Sequence, residues 1–176
     1  MMNLTQVIMR DQTGQEGLQD LIKEIPNKGT MIEIGTFTGE STVIFGDHFN
    51  KVIGIDPMLQ DYDVQDPTSK FNFNEVLNMF NDRVKEYNNI SLITKTSDDA
   101  ILDFNDEEYD FIYIDGIHQY ENVKQDIINY LPKVKKGGVI GGHDYGGPWT
   151  GVKQAVDEVF GKPDKVFKDT SWIKFL

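Results

Sequence analysis

The chain has 176 residues, with 29 acidic and 17 basic side chains, a net charge of −12 and no cysteine. A single domain of this size buries roughly 70% of the surface its unfolded chain exposes, so its core needs no disulfide staples. The acidic balance argues against a partner built on a phosphate backbone or an anionic membrane, and the missing cysteines exclude disulfides, thiolate metal sites and thiol catalysis. Leu18, Leu21, Ile22 and Ile25 fall on one face of a helix, which Pro26 stops. Met31 to Ile34 is short, apolar and followed by glycine, and reads as a buried strand. Ser41 to Phe49 reads as a helix, Val52 to Ile55 as a second strand, and Phe73, Val76, Leu77, Phe80 and Val84 have helical spacing. Ile90 to Ile93 and Phe111 to Ile114 are two further strands. Tyr120, Val123, Ile127 and Leu131 mark a helix closed by Pro132, and Val139–Ile140 lie in a fifth strand. Val152, Val156, Val159 and Phe160 mark a last helix. Val166–Phe167 and Trp172 to Leu176 form two closing strands joined by a short turn.

Strands that alternate with helices imply parallel pairing through right-handed crossovers. The two closing strands have no helix between them and must pair antiparallel. The expected fold is therefore α/β and Rossmann-like: a mostly parallel seven-stranded sheet, helices on both faces and a C-terminal antiparallel hairpin, in one domain over residues 1–176. No stretch resembles a cleaved leader, and no run approaches the ~18 apolar residues of a membrane span. A soluble, cytoplasmic protein is the expectation.

Ligands on such sheets bind beyond the carboxyl ends of the strands. After the first strand the chain reads Glu33-Ile34-Gly35-Thr36-Phe37-Thr38-Gly39-Glu40-Ser41. The two glycines permit a tight turn and close backbone approach to a ligand. The middle glycine of a dinucleotide-binding G-x-G-x-x-G is missing, and Glu33 and Glu40 would repel a pyrophosphate. The turn suits a ligand with an ammonium-bearing part. Asp56 ends the second strand, where an acid can hold both hydroxyls of a ribose. Ser97 and Asp98 follow the third strand, where they either contact an adenine edge or cap the next helix.

This order, Glu33-x-Gly35-x-x-x-Gly39, then Asp56, then Ser97–Asp98, resembles a class I S-adenosylmethionine-dependent methyltransferase over nearly the whole chain. The resemblance implies that Gly35 and Gly39 pass close to the methionine part of S-adenosylmethionine and that Ser41 holds its amino-acid end. It places Asp56 on the ribose and Ser97–Asp98 on the adenine. Glu33, Thr36 within the turn, and Asp115 at the fourth strand tip complete the expected cofactor set.

The fourth strand runs into Asp115-Gly116-Ile117-His118, and the fifth into His143-Asp144-Tyr145. Two chemistries fit. In one, Asp115, Asp144 and His143 hold a divalent cation, magnesium or manganese, which activates a substrate hydroxyl. In the other, no metal binds and His118 or His143 takes the hydroxyl proton directly, with Asp144 orienting it. Compared with the catechol O-methyltransferase-like group, Asp115 and Asp144 match two metal-binding aspartates. His118 stands at the position of the catalytic lysine, and Tyr145 replaces the asparagine that would be the third metal ligand. The segment D-G-x-H-x-Y … G-G-x-x-x-x-H-D-Y resembles the family labelled methyltransferase domain 24.

The implied activity is methyl transfer to a hydroxyl of a sugar, glycan or small metabolite. So acidic a chain argues against a nucleic-acid partner, no membrane is implied, and a homo-oligomer stays open. A nicotinamide-dependent oxidoreductase and a non-catalytic binding module serving a partner protein are the alternatives. The polar stretch Met58–Lys70 is either a lid or a solvated loop. Trp149, in a glycine-rich segment beside the reaction centre, either stacks on a substrate or packs.

Overall fold

A computed structural model describes residues 10–176. Helix α1 (Gln12–Glu24) starts at Asp11, whose side chain accepts a hydrogen bond from the Gly14 amide, and ends before Pro26. The chain then alternates β1 (Thr30–Ile34), α2 (Glu40–Gly46), β2 (Lys51–Ile55), α3 (Phe73–Val84), β3 (Ile90–Ile93) and α4 (Ser97–Ala100). It continues with β4 (Tyr109–Ile114), α5 (Tyr120–Tyr130), β5 (Val134–Gly142), α6 (Thr150–Phe160), β6 (Lys165–Val166) and β7 (Trp172–Phe175). The sheet order is β3-β2-β1-β4-β5-β7-β6. The first five strands pair in parallel, and β7 pairs antiparallel with both β5 and β6. This is the expected architecture, with α2 ending at Gly46 rather than Phe49 and β5 longer than the Val139–Ile140 pair.

Alternation along the strands assigns side chains to the two layers. Ile32, Ile34, Ile112 and Ile114 pack with Val123 and Ile127 of α5 and Val152 and Val156 of α6. Met31, Phe111 and Tyr113 face the other way, against Leu18, Leu21 and Ile22 of α1 and Phe45 of α2. Between β1 and β4 the strand order reverses, because β2 and β3 extend to one side of β1 while β4 and β5 extend to the other. The connections leaving these strand tips diverge, and the crevice between them is the site.

No described helix is long and apolar enough to cross a membrane.

Candidate active site

The turn after β1 is held in a tight form by its neighbours. Gly35 has φ +85°, and a Cβ there would lie 2.1 Å from the Asp115 carbonyl oxygen, so only glycine fits. The Gly35 amide donates to Ile55 O at 2.8 Å, and the Asp115 amide donates to Ile34 O at 2.8 Å. Gly39, at φ +83°, is the left-handed N-cap of α2 and packs against Phe80. Asp56 ties the turn to β2: its Oδ2 accepts from the Thr36 and Phe37 amides (3.1 and 2.9 Å) and its Oδ1 from the Met58 amide (2.9 Å). Burial pushes the Asp56 carboxyl up, against the pull of those three amides.

A cavity of about 640 Å³ opens beyond the strand tips. Gly35, Thr36, Ser41 and Asp56 line it from the first two turns, Ser97 and Asp98 from the third, and Asp115, His118, His143 and Asp144 from the fourth and fifth. Two members of the expected cofactor set do not line it. Gly39 serves as the helix cap. Glu33 alternates with Ile32 and Ile34, so its side chain enters the α2 layer, where its carboxylate accepts from the Ser41 and Thr42 hydroxyls. The cap of α4 is Thr96, whose hydroxyl accepts from the Asp99 amide, and not the Ser97–Asp98 pair.

Glu33 is fully buried, and desolvation raises its pKa from 4.5 to about 7 despite the two hydroxyl bonds. A raised carboxyl pKa means the folded state binds the proton more tightly. That contribution is full below the unfolded value and is lost as pH rises from about 4.5 through about 7. Asp126, buried on α5, titrates near 7 for the same first reason. Glu33→Gln is expected to flatten the fall in stability over this pH window. Urea unfolding of both proteins at several pH values checks it, and identical slopes would refute it.

The reaction centre is one connected cluster. Asp144 Oδ2 lies 3.1 Å from His118 Nε2 and 3.2 Å from His143 Nδ1, and Asp115 Oδ1 lies 3.7 Å from the same His143 atom. The His118 ring stacks on Trp149 with centroids 4.5 Å apart and 13° between planes. Asp144 takes φ 65°, a left-handed conformation that Asp and Asn tolerate. Burial pulls both histidines down. The Asp144 hydrogen bond and the charges of Asp115, Asp144 and Asp66 raise His118 by more, while Asp115 and the Asp144 bond do the same for His143. Burial raises Asp144, but its two histidine partners outweigh this and hold it well below the ordinary aspartate range.

Several residues at this site carried no separate sequence signal. Arg10, 6% exposed, lines the cavity and places its guanidinium 2.6 Å from Asp115 Oδ2, 3.2 Å from the Tyr113 hydroxyl and 3.5 Å from Asp169. Asp63 and Asp66, from the stretch between β2 and α3, also line the cavity, with Leu59 and Tyr62 beside them. That stretch therefore covers the site.

Arg10 also bears on the cation reading. Among the described residues, the donor atoms that come within 4.8 Å of one another belong to Asp115, His118 and Asp144, so His118 stands where His143 was expected. Asp115 already faces a guanidinium at 2.6 Å, which repels a second cation, and Asp144 is committed to two imidazoles. The donor set does not fit a divalent ion.

With the tips of β1, β4 and β5 joined in this way, the sheet and its cavity have the fold of the class I methyltransferases. The family model described as "Methyltransferase domain" matches residues 32–145, and the chain belongs to that family. It is similar to "Uncharacterized protein R132" of Acanthamoeba polyphaga mimivirus, at 34% identity over 125 residues, covering 66% of this chain and 51% of that protein. The chain thus spans about half the length of this curated relative. Among solved structures, the O-methyltransferase NovP superposes with a TM-score of 0.66 at 18% identity, covering 92% of this chain and 76% of that one. An O-methyltransferase from Bacillus cereus in complex with S-adenosylhomocysteine superposes with a TM-score of 0.64 at 16% identity, covering 96% and 83%. The matched family is a methyltransferase domain and not a nicotinamide-dependent oxidoreductase.

Proposed function

We propose that this chain moves the methyl group of S-adenosylmethionine to a hydroxyl of a sugar, glycan or small metabolite, with His143 as general base. The observation that carries the reading is the Asp144–His143 contact at the tip of β5. Asp144 Oδ2 lies 3.2 Å from Nδ1, and His143 lines the cavity. An imidazole that donates from Nδ1 to a carboxylate presents a basic Nε2, the tautomer that accepts a hydroxyl proton.

The residues present fit the methyl donor. Asp56 offers a buried carboxylate where a ribose edge belongs, and Ser97 and Asp98 face the cavity at the third tip. The Thr36 hydroxyl is buried without a partner in the wall of the cavity, a group that a bound polar ligand would satisfy. The donor supplies a sulfonium-bound methyl carbon, an electrophile that needs no covalent help from the protein. The chain's work is to position the acceptor and remove one proton. The acceptor oxygen forms the new bond to carbon, the carbon–sulfur bond breaks with its electron pair passing to sulfur, and the hydroxyl proton passes to His143. Asp144 and Asp115 then offset the charge on that imidazolium. The carboxylates around the cavity favour neutral or cationic acceptors over phosphorylated ones.

Calorimetric titration with S-adenosylhomocysteine, with NAD as control, tests the reading. Binding of the first alone in the micromolar range is expected. Asp56→Asn should weaken it by about tenfold, the worth of one charge-assisted hydrogen bond. Absence of binding to the wild type would overturn the proposal.

A further inference from the structure

We propose that Asp63, on the segment between β2 and α3, is a positioning residue that latches this segment over the reaction centre by accepting a hydrogen bond from His118 Nδ1. The kinetic meaning of the latch rests on the methyltransferase reading. Its physical existence does not.

The pattern of burial is the first observation. Asp63 is 8% exposed, while its neighbours Tyr62 and Val64 are 41% and 75% exposed. A loop left to solvation would turn the acid outward and the apolar side chains inward. The reverse arrangement means that internal groups hold the carboxylate. One oxygen is accounted for: Oδ1 accepts from the Gln65 amide at 3.0 Å and from Gln119 Nε2 at 3.3 Å. The other, Oδ2, is buried with no partner.

The second observation is what faces it. His118 Nδ1 is also buried with no partner, and the two atoms are 3.9 Å apart. The same ring is fixed on its other edge by Asp144 at 3.1 Å and on its face by Trp149. An unsatisfied buried group is costly, and a hydrogen bond needs a separation of about 3.2 Å or less. An approach of under about 1 Å therefore satisfies both groups at once. Asp66 Oδ2 lies 4.0 Å from the same nitrogen, but its Oδ1 holds the Thr68 amide at 2.8 Å and so fixes the turn that begins there. Asp63 is the acid whose free oxygen is sealed from water and aimed at the ring.

Closing this contact gives His118 a carboxylate at each ring nitrogen. The ring can then neither rotate nor draw away from Asp144, and Asp144 stays against His143. Acceptor coverage by the segment and alignment of the base become one event.

The test uses the full chain loaded with S-adenosylhomocysteine and the variants Asp63→Asn, His118→Gln and the double variant. Asp63→Asn preserves the Oδ1 contacts, so a purely structural role for Asp63 would leave the loop undisturbed. The expected result is an increase of about tenfold in amide exchange across residues 58–70 in Asp63→Asn, the size of one hydrogen bond, with no further increase when His118→Gln is added. The histidine-ring nitrogen spectrum should show a hydrogen-bonded proton on His118 Nδ1 in the wild type, retained in Asp66→Asn and lost in Asp63→Asn. Additive exchange rates, or a ring spectrum unchanged by Asp63→Asn, would overturn the latch. If S-adenosylhomocysteine fails to bind, the methyltransferase reading falls by itself, and the same cycle in the ligand-free chain still decides the latch.

Discussion

Replacing Asp144 by asparagine is expected to slow methyl transfer by about 10²–10⁴-fold while leaving S-adenosylhomocysteine affinity within about twofold. Two imidazoles share one carboxylate oxygen of Asp144, at 3.1 and 3.2 Å. An asparagine can place its neutral amide oxygen there, but both contacts then lose the carboxylate's charge, which is what makes them strong. It also leaves His143 with less counter-charge once that ring has taken the proton. Asparagine tolerates the left-handed backbone at φ 65°, whereas alanine would add strain and confuse loss of chemistry with loss of fold. Formation of S-adenosylhomocysteine against a panel of glycoside and catechol acceptors measures the rate, and calorimetry measures the affinity. Turnover equal to the wild type would remove Asp144 from the mechanism. The substitution has a second signature in acid. The Asp144 carboxyl is held below its ordinary range, so its contribution to stability exists above the ordinary aspartate value and is lost as pH falls. The variant should lack that acid-sensitive part.

Arg10→Ala is expected to cost about 3–5 kcal/mol of stability, because it removes one partner of a buried ion pair and strands the others. The guanidinium serves Asp115 at 2.6 Å and Asp169 at 3.5 Å, with the Tyr113 hydroxyl at 3.2 Å, all in or against the wall of the cavity. Ser171 and Asp169 are bonded to each other and cannot neutralise the stranded charge. For a chain of this length the loss corresponds to a drop of about 10 °C in melting temperature. Activity should fall with it, since Asp115 also faces His143 at 3.7 Å. A urea midpoint within experimental error of the wild type would show that the cluster holds without Arg10. Combining Arg10→Met with Asp169→Asn should recover part of the loss, because paired removal leaves fewer unmatched charges.

The parts of this molecule that were legible in the sequence are those governed by local patterns. Short apolar runs ending in glycine or aspartate gave the strands and their tips, and the tips placed Asp56, Asp115 and Asp144 on one side of the sheet. Glu33 was half legible: the same alternation that buries Ile32 and Ile34 sends it into the opposite layer, away from the cavity. Asp126 could also have been found, because it lies beside Val123, Ile127 and Tyr130 on the buried face of α5. Arg10 could not. It precedes the apolar repeat of α1, and its acidic partners lie 105 and 159 residues away. Asp63 sits in a polar stretch with no period, so nothing local separates a buried acid from its solvated neighbours.

The contact between Gly35 and the Asp115 carbonyl has a consequence for how such a protein can change. Where a Cβ would come within 2.1 Å of the opposite backbone, the turn after β1 and the tip of β4 meet without any side-chain padding. Neither can shift to suit a new acceptor without displacing the other, so this floor of the cavity is closed to gradual alteration. The segment between β2 and α3 is different: Leu59 and Tyr62 reach the cavity from a loop and are 54% and 41% exposed. Selection for a different acceptor therefore has its room in the ceiling. A lineage carrying this fold can diversify what it methylates while the floor stays as it is.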